Sequence, residues 1–185
     1  TLVGNTHNDS IRYNSPSFNG VTAHAYLSDQ NEGGAGAYTD FGVTIKPEMV
    51  AGLELGYATG EFDLNDGTTE DQDTMYVKYA YGPVTVGYQQ SESSTSDSGE
   101  LFNEAFESEA FGITFAVNDD FSIGYGIFEA DYEATALSDQ ESTAITASYT
   151  MGSMTIGGLI GDDQNLAGVS TDDNDKYEVS LSIAF

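Results

Sequence analysis

The chain has 185 residues, with 4 Lys or Arg against 31 Asp or Glu, a formal net charge of -27. That balance excludes a nucleic-acid binder, which needs a basic footprint, and an amphipathic helix docked on anionic lipid, which needs Lys and Arg. Hydrophobic residues at 39% and aromatics at 12% are too many for an acidic disordered tail, and with no Cys there is no disulfide framework, zinc–thiolate site or cysteine nucleophile.

No run approaches the ~18 apolar residues of a transmembrane helix, a test that does not reach a barrel strand, apolar only at every second position. Thr1–Asp9 is polar and lacks the charged start, apolar middle and small-residue cleavage site of a secretory signal. A signal is therefore expected to have been removed, or to lie before Thr1. From there the alternation of large apolar with polar or small residues predicts about eleven two-faced strands. The first sets Ile11 and Tyr13 against Arg12 and Asn14. The second sets Val21, Ala23, Ala25 and Leu27 against Thr22, His24, Tyr26 and Ser28. Phe41, Val43 and Ile45 oppose Asp40, Gly42, Thr44 and Lys46. Ala51, Leu53, Leu55 and Tyr57 oppose Gly52, Glu54, Gly56 and Ala58. Met75, Val77, Tyr79 and Tyr81 oppose Tyr76, Lys78 and Ala80. Then come Val84–Gln89, Phe111–Val117, Phe121–Ile127, Ile145–Met151, a weaker Met154–Ile160 with Leu159 on the wrong face, and Tyr177–Phe185.

Short connections, Ser15–Gly20, Pro47–Glu48, Gly82–Pro83, Asn118–Asp120 and Gly152–Ser153, carry turn residues. They alternate with long ones near Asp29–Ala37, Gly60–Asp73, Gln90–Glu109, Glu129–Glu141 and Gly161–Asp175. Strict alternation makes sequence neighbours spatial neighbours and gathers the long loops at one end, an up-and-down meander of the kind that closes into a barrel. Gly42, Gly52, Gly56, Gly87, Gly112, Gly124, Gly126 and Gly157 fall on the polar face, which suits a water-filled lumen better than a packed core. The other reading is a soluble β-sandwich whose apolar faces pack on one another.

In the terminal stretch Tyr177, Val179, Leu181, Ile183 and Phe185 share one face, and Glu178, Ser180, Ser182 and Ala184 the other. This ending resembles the C-terminal strand of bacterial outer-membrane barrels, which the barrel-assembly machinery reads as a sorting signal. The segment Asn8-Asp9-Ser10-Ile11-Arg12-Tyr13-Asn14-Ser15-Pro16-Ser17-Phe18-Asn19-Gly20 resembles Gram-negative general porins, which show N-S-[IV]-x-Y-x-S-P-x-F-x-G after their constriction loop; Asp9 stands in the Asn position. The resemblance implies an outer-membrane homotrimer of 16-stranded barrels that passes small hydrophilic solutes and ions. It places this segment near the sixth strand, which leaves eleven, in agreement with the count from alternation. Residues 1–185 are then one barrel domain, the C-terminal part of a porin, with 1–9 the tail of the constriction loop. Eleven strands alone leave two unpaired edges and are expected not to form a stable closed pore.

No catalytic arrangement emerges: His7 and His24 lack a serine–acid neighbourhood, and the chain is read as a non-enzyme without a cofactor. The pore-lining candidates are Arg12, His24, Tyr26, Asp40, Lys46, Glu54, Lys78 and Glu178, with Arg12 the constriction candidate that the resemblance implies. The long loops hold 24 of the 31 acids. Three readings stand: solvation, a cation-concentrating vestibule, and calcium or magnesium held by the loops or shared with lipopolysaccharide. Asp63-Leu64-Asn65-Asp66-Gly67 is similar to a calcium loop, but its glycine falls one place early. Tyr81, Phe121, Tyr149 and Phe185, with Tyr13 and Phe18, form an expected aromatic belt near the short turns. The leading expectation is a passive, cation-preferring outer-membrane channel. A non-channel barrel with structural or adhesive loops, and a soluble β-rich binding protein, are the alternatives.

Overall fold

The computed structural model describes residues 10–29, 36–63, 68–95, 106–133 and 136–184. Eleven strands follow one another: β1 Ser10–Asn14, β2 Val21–Ser28, β3 Tyr38–Ile45, β4 Leu53–Asp63, β5 Thr69–Tyr81, β6 Val84–Thr95, β7 Phe106–Ala116, β8 Phe121–Tyr132, β9 Gln140–Met151, β10 Met154–Gln164 and β11 Asn174–Ile183. They form one antiparallel up-and-down sheet in strict chain order, with β1 and β11 at the ends of that order. A 3-10 turn at Leu166–Gly168 is the one helical element among the described residues.

The short connections form because their residues accept unusual backbone angles. Asn19 and Gly20 have φ of 49° and 81°, the pair of positive values a tight hairpin turn demands. Asn118 Oδ1 accepts from the backbone N–H of Asp120 and of Phe121, both at 2.9 Å, which closes the β7–β8 turn locally. The β3–β4 connection is longer than the expected Pro47–Glu48. The Val50 N–H donates to the Pro47 carbonyl at 3.1 Å, and Gly52 turns the chain at φ 86°. Ala51 therefore belongs to the turn and not to β4. The apolar alternation ran on into Ala51 because nothing in side-chain polarity marks the end of a strand.

The larger correction is at the other end of the strands. β4 to β8 and β10 continue four or more residues into stretches read as loops, and β9 two, so Glu61, Asp63, Glu70, Asp71, Asp73, Glu107, Glu109, Glu129, Glu141 and Asp162 stand on strands. Above an apolar zone both faces of a strand meet water. The period-two contrast vanishes there while the hydrogen-bonded ladder continues.

The described residues fall into two compact units: those up to Val77 with Gln89–Glu107, and Lys78–Tyr88 with the residues from Ser108 onward. In the first, the buried side chains include Tyr26, Ser28, Tyr38, Asp40, Ala58, Thr74 and Ser93, all on the polar face. In the second they are Ala130 and Asp163, again on the polar face. The apolar face is open in both: Ile11, Leu27, Phe41 and Tyr57 in one, Ile113, Ile145, Ile160 and Val179 in the other, Val179 to 84%. A soluble sandwich covers that face. An Ile, Leu or Val left in water forfeits about 1.5–3 kcal/mol of burial, so a continuous stripe of them calls for an apolar medium.

Candidate pore-lining face

Strand register assembles the polar face of the first unit in rows. Ser28, Tyr38 and Phe62 make one row, and Arg12, Tyr26, Asp40 and Gly60 the next. Asn14, His24, Gly42 and Ala58 follow, then Thr22, Thr44 and Gly56. Because side chains alternate, one register error would have scattered these groups over both faces. Arg12, His24, Tyr26 and Asp40, singled out from sequence, instead border a common cavity of about 180 Å³. His24 is held in place by two neutral partners: Nδ1 lies 2.9 Å from Asn14 Oδ1, and Nε2 lies 3.1 Å from Thr44 Oγ1. With Nδ1–H donating to the Asn14 oxygen, Nε2 accepts from the Thr44 hydroxyl.

Two tyrosines pack against glycines on this face. A Cβ at Gly60 would sit 2.6 Å from the Tyr38 hydroxyl oxygen, and one at Gly56 would sit 2.1 Å from a Tyr76 ring carbon. Each aromatic covers backbone that a glycine leaves bare. Tyr38 packs between Tyr26 and Phe62 at ring separations of 5.9 and 6.3 Å. The Tyr76 hydroxyl donates to Glu54 Oε1 at 2.8 Å, and Lys46 Nζ lies 3.3 Å from Glu54 Oε2. Glu54 is thus gripped from both sides, while Lys78 shares the even-numbered face of β5 with Tyr76.

The second unit presents a different polar face. Ser122, Ser148, Gly157 and Ser180 form one row, and Gly124, Thr146, Leu159 and Glu178 the next. Leu159, on the wrong face for its chemistry, sits in register between Thr146 and Glu178. Toward the long connections Lys176 pairs with Asp163, whose side chain is 4% exposed.

The family model for Gram-negative porins matches residues 1–185. The chain belongs to that family. Its fold is shared with an anion-selective porin from Comamonas acidovorans, at TM-score 0.78 and 16% identity over 96% of this chain and 60% of that one. Salmonella typhi OmpF, in a complex with daunomycin, superposes at TM-score 0.75 with 11% identity, over 94% and 61% of the two chains. The trimer form of Vibrio cholerae OmpT superposes at 0.65 with 11% identity, over 95% and 62%. The chain spans about 60% of the length of these porins. Curated protein sequences give no match. Membership in the family places the chain in the outer membrane of a Gram-negative bacterium.

In a porin the open apolar face meets hydrocarbon, and its borders are visible. Tyr81, Phe121 and Tyr149 lie near the short turns, Phe121 directly opposite Tyr149. Phe185, His7, residues 1–9 and Leu64–Gly67 of the calcium-like stretch lie outside the described residues. Sequence reading missed the border at the long-connection end. There the Tyr57 hydroxyl donates to Asp73 at 2.6 Å and the Tyr88 hydroxyl to Glu109 at 2.7 Å. Just beyond it, acids stand opposite one another on the outer face, Glu129 against Glu141 and Asp162 against Asp175. Among the described residues no group of three or more His, Asp or Glu is placed to hold a metal ion.

Lys176, Asp163, Tyr38 and Tyr76 were absent from the sequence-derived candidates. Parity held the signal for Lys176: it shares the even positions of β11 with Glu178 and Ser180. Tyr76 was assigned to the correct face, but an amphipathic ring does not announce that it will lie on a glycine.

Proposed function

We propose that this chain forms part of a passive outer-membrane channel for small hydrophilic solutes and ions, as one protomer of a homotrimer. The observation that carries the reading is the inverted sheet: Val179 is 84% exposed on the apolar face while Asp40 is 5% exposed on the polar one. A face that is apolar toward lipid, backed by one rich in glycine, hydroxyls and charge, is the cross-section of an aqueous pore wall. Arg12, His24, Tyr26, Asp40, Lys46, Glu54, Lys78 and Glu178 line that pore in this reading, and Lys176 joins them. The outer face meets lipid and, at its acidic border, the headgroups of lipopolysaccharide. The exposed alternation Tyr177, Val179, Leu181 and Ile183 supports recognition of the terminal strand by the barrel-assembly machinery. The chemistry is diffusion, with no catalytic step.

Cation preference follows from the formal charge of -27, which makes the mouth attractive to cations by field focusing. The test is planar-bilayer recording of the whole protein in a salt gradient. Steady unitary conductance with a reversal potential on the cation side is expected, and Arg12→Ala is expected to move that potential further the same way. Absence of conductance from folded trimers would refute the channel, and a reversal potential on the anion side would refute the preference.

A further inference from the structure

The β8–β9 and β10–β11 connections are bound to each other as well as to their strands. The Ser138 N–H donates to the Gly168 carbonyl at 2.9 Å, and Asn165 Nδ2 donates to the Asp139 carbonyl at 2.9 Å. The Ala167 N–H donates to Gln140 Oε1, also at 2.9 Å. Leu137 packs on the buried Gly168, where an added Cβ would sit 3.0 Å from Leu137 Cβ. The β10–β11 connection is also closed on itself. There the Leu166 N–H donates to the Asp172 carbonyl at 2.8 Å, and the Asn165 N–H to Asp173 Oδ1 at 3.1 Å. Ala167 holds a left-handed φ of 53°, an angle that a residue with a Cβ keeps only where its surroundings impose it.

The tie leans over the lumen side. Gln140 stands on the polar face, opposite Ala130 in the ladder, and the turn that it holds lies against β9. Ala130 and Asp163, on that face, are 2% and 3% exposed. Their sequence neighbours Glu129 and Glu141 face outward at the same level and are exposed. The strand ends are thus covered inside and bare outside.

We infer that the two connections form one shelf over the lumen side of β8–β11, and that this shelf sets the size of solute admitted at the long-connection mouth. Gln140 and Asn165 are its positioning residues. Two separate loops would open independently, and a loop that swings aside filters nothing. Three cross-bonds and an apolar contact make these two open together. The inference rests on the channel reading above, which supplies the lumen.

Two variants untie the shelf. Gln140→Ala removes the acceptor of the Ala167 N–H. Asn165→Gly removes the bond to Asp139 and leaves a residue that accepts the left-handed φ of 52°. The whole protein is recorded in planar bilayers, inserted from one side, with polyethylene glycols of graded size added to one compartment at a time. Each variant is expected to admit polymers about twofold larger in mass than wild type from one compartment only, with the cut-off from the other unchanged. Heat-modifiable gel migration checks that each variant folds. Hydrogen exchange of the folded protein in detergent reads the shelf without current. In wild type one opening exposes both the Ser138 and the Ala167 amide, so their protection should agree to within about tenfold, a comparison that decides even if neither variant folds. Asn165→Gly, in one connection, should speed exchange at Ser138, in the other, by about tenfold or more. Folded wild type that carries no current refutes the channel reading, and with it the filter. In a conducting protein, an unchanged cut-off in both variants, or an equal change from both compartments, overturns the filter. Ser138 and Ala167 amides that exchange independently overturn the shelf itself.

Discussion

Along β7 Phe111, Ile113 and Phe115 look one way and Gly112 and Thr114 the other, and the two sides follow opposite rules. Outward, side chains are large and apolar, make few specific contacts and stay open. Inward, side chains are small or polar and are tied to one another, as Tyr76 is to Glu54 and Glu54 to Lys46. The outer face is specified by its solvent and tolerates any apolar shape. The inner face is specified by partners, so single contacts matter there. Substitutions should therefore be judged by polarity outside and by geometry inside.

The largest effect should come from breaking the outer rule. Ile113→Arg puts a charge in the apolar band and is expected to cost about 2–4 kcal/mol, whereas Thr114→Arg, one residue along and facing water, should cost far less. Urea unfolding from lipid vesicles measures both, and equal losses would erase the distinction between the faces. Inside, Lys176→Met leaves Asp163 buried without its cation and should cost about 1–3 kcal/mol, reduced by the partial exposure of Lys176.

Geometry is tested by two glycines of the inner face. Gly56→Ala drives a methyl into the Tyr76 ring and disturbs its bond to Glu54, for an expected loss of about 1 kcal/mol or more. Gly126→Ala meets its nearest atom at 3.6 Å, an ordinary contact, and should be close to neutral on this count. A similar loss at both would mean that glycine matters here through chain entropy and not through the covering ring. The smallest effect is a gain: Glu129→Gln removes a like-charge pairing with Glu141 on the outer border and should stabilise by about 0.2–1 kcal/mol, less at high salt.

The same contrast explains what could be read from the sequence. Strand number, order and facing were legible because hydrocarbon on one side and water on the other imprint a period of two on residues such as Val77/Lys78 and Ile113/Thr114. Strand ends were not, because Asp162 and Asp163 both meet polar surroundings although one faces out and the other in. The grouping of Arg12, His24, Tyr26 and Asp40 on one wall followed from parity plus chain-order pairing. The Tyr38–Gly60 and Tyr76–Gly56 contacts depend on register across strands, which alternation within one strand does not encode.

The central claim is that apolar side chains face lipid and the small polar ones face water, and the absence of Cys makes single-cysteine labelling clean. Cysteines placed one at a time at 77, 113, 145 and 179, and at 114, 146, 148 and 180, are to be probed in folded protein in bilayers with a water-soluble thiol reagent and, separately, with a bilayer-embedded quencher of an attached fluorophore. The first set should resist the reagent and be quenched by lipid, and the second should react and escape quenching. A first set that reacts with the aqueous reagent while 114 and 146 are quenched by lipid would contradict the account.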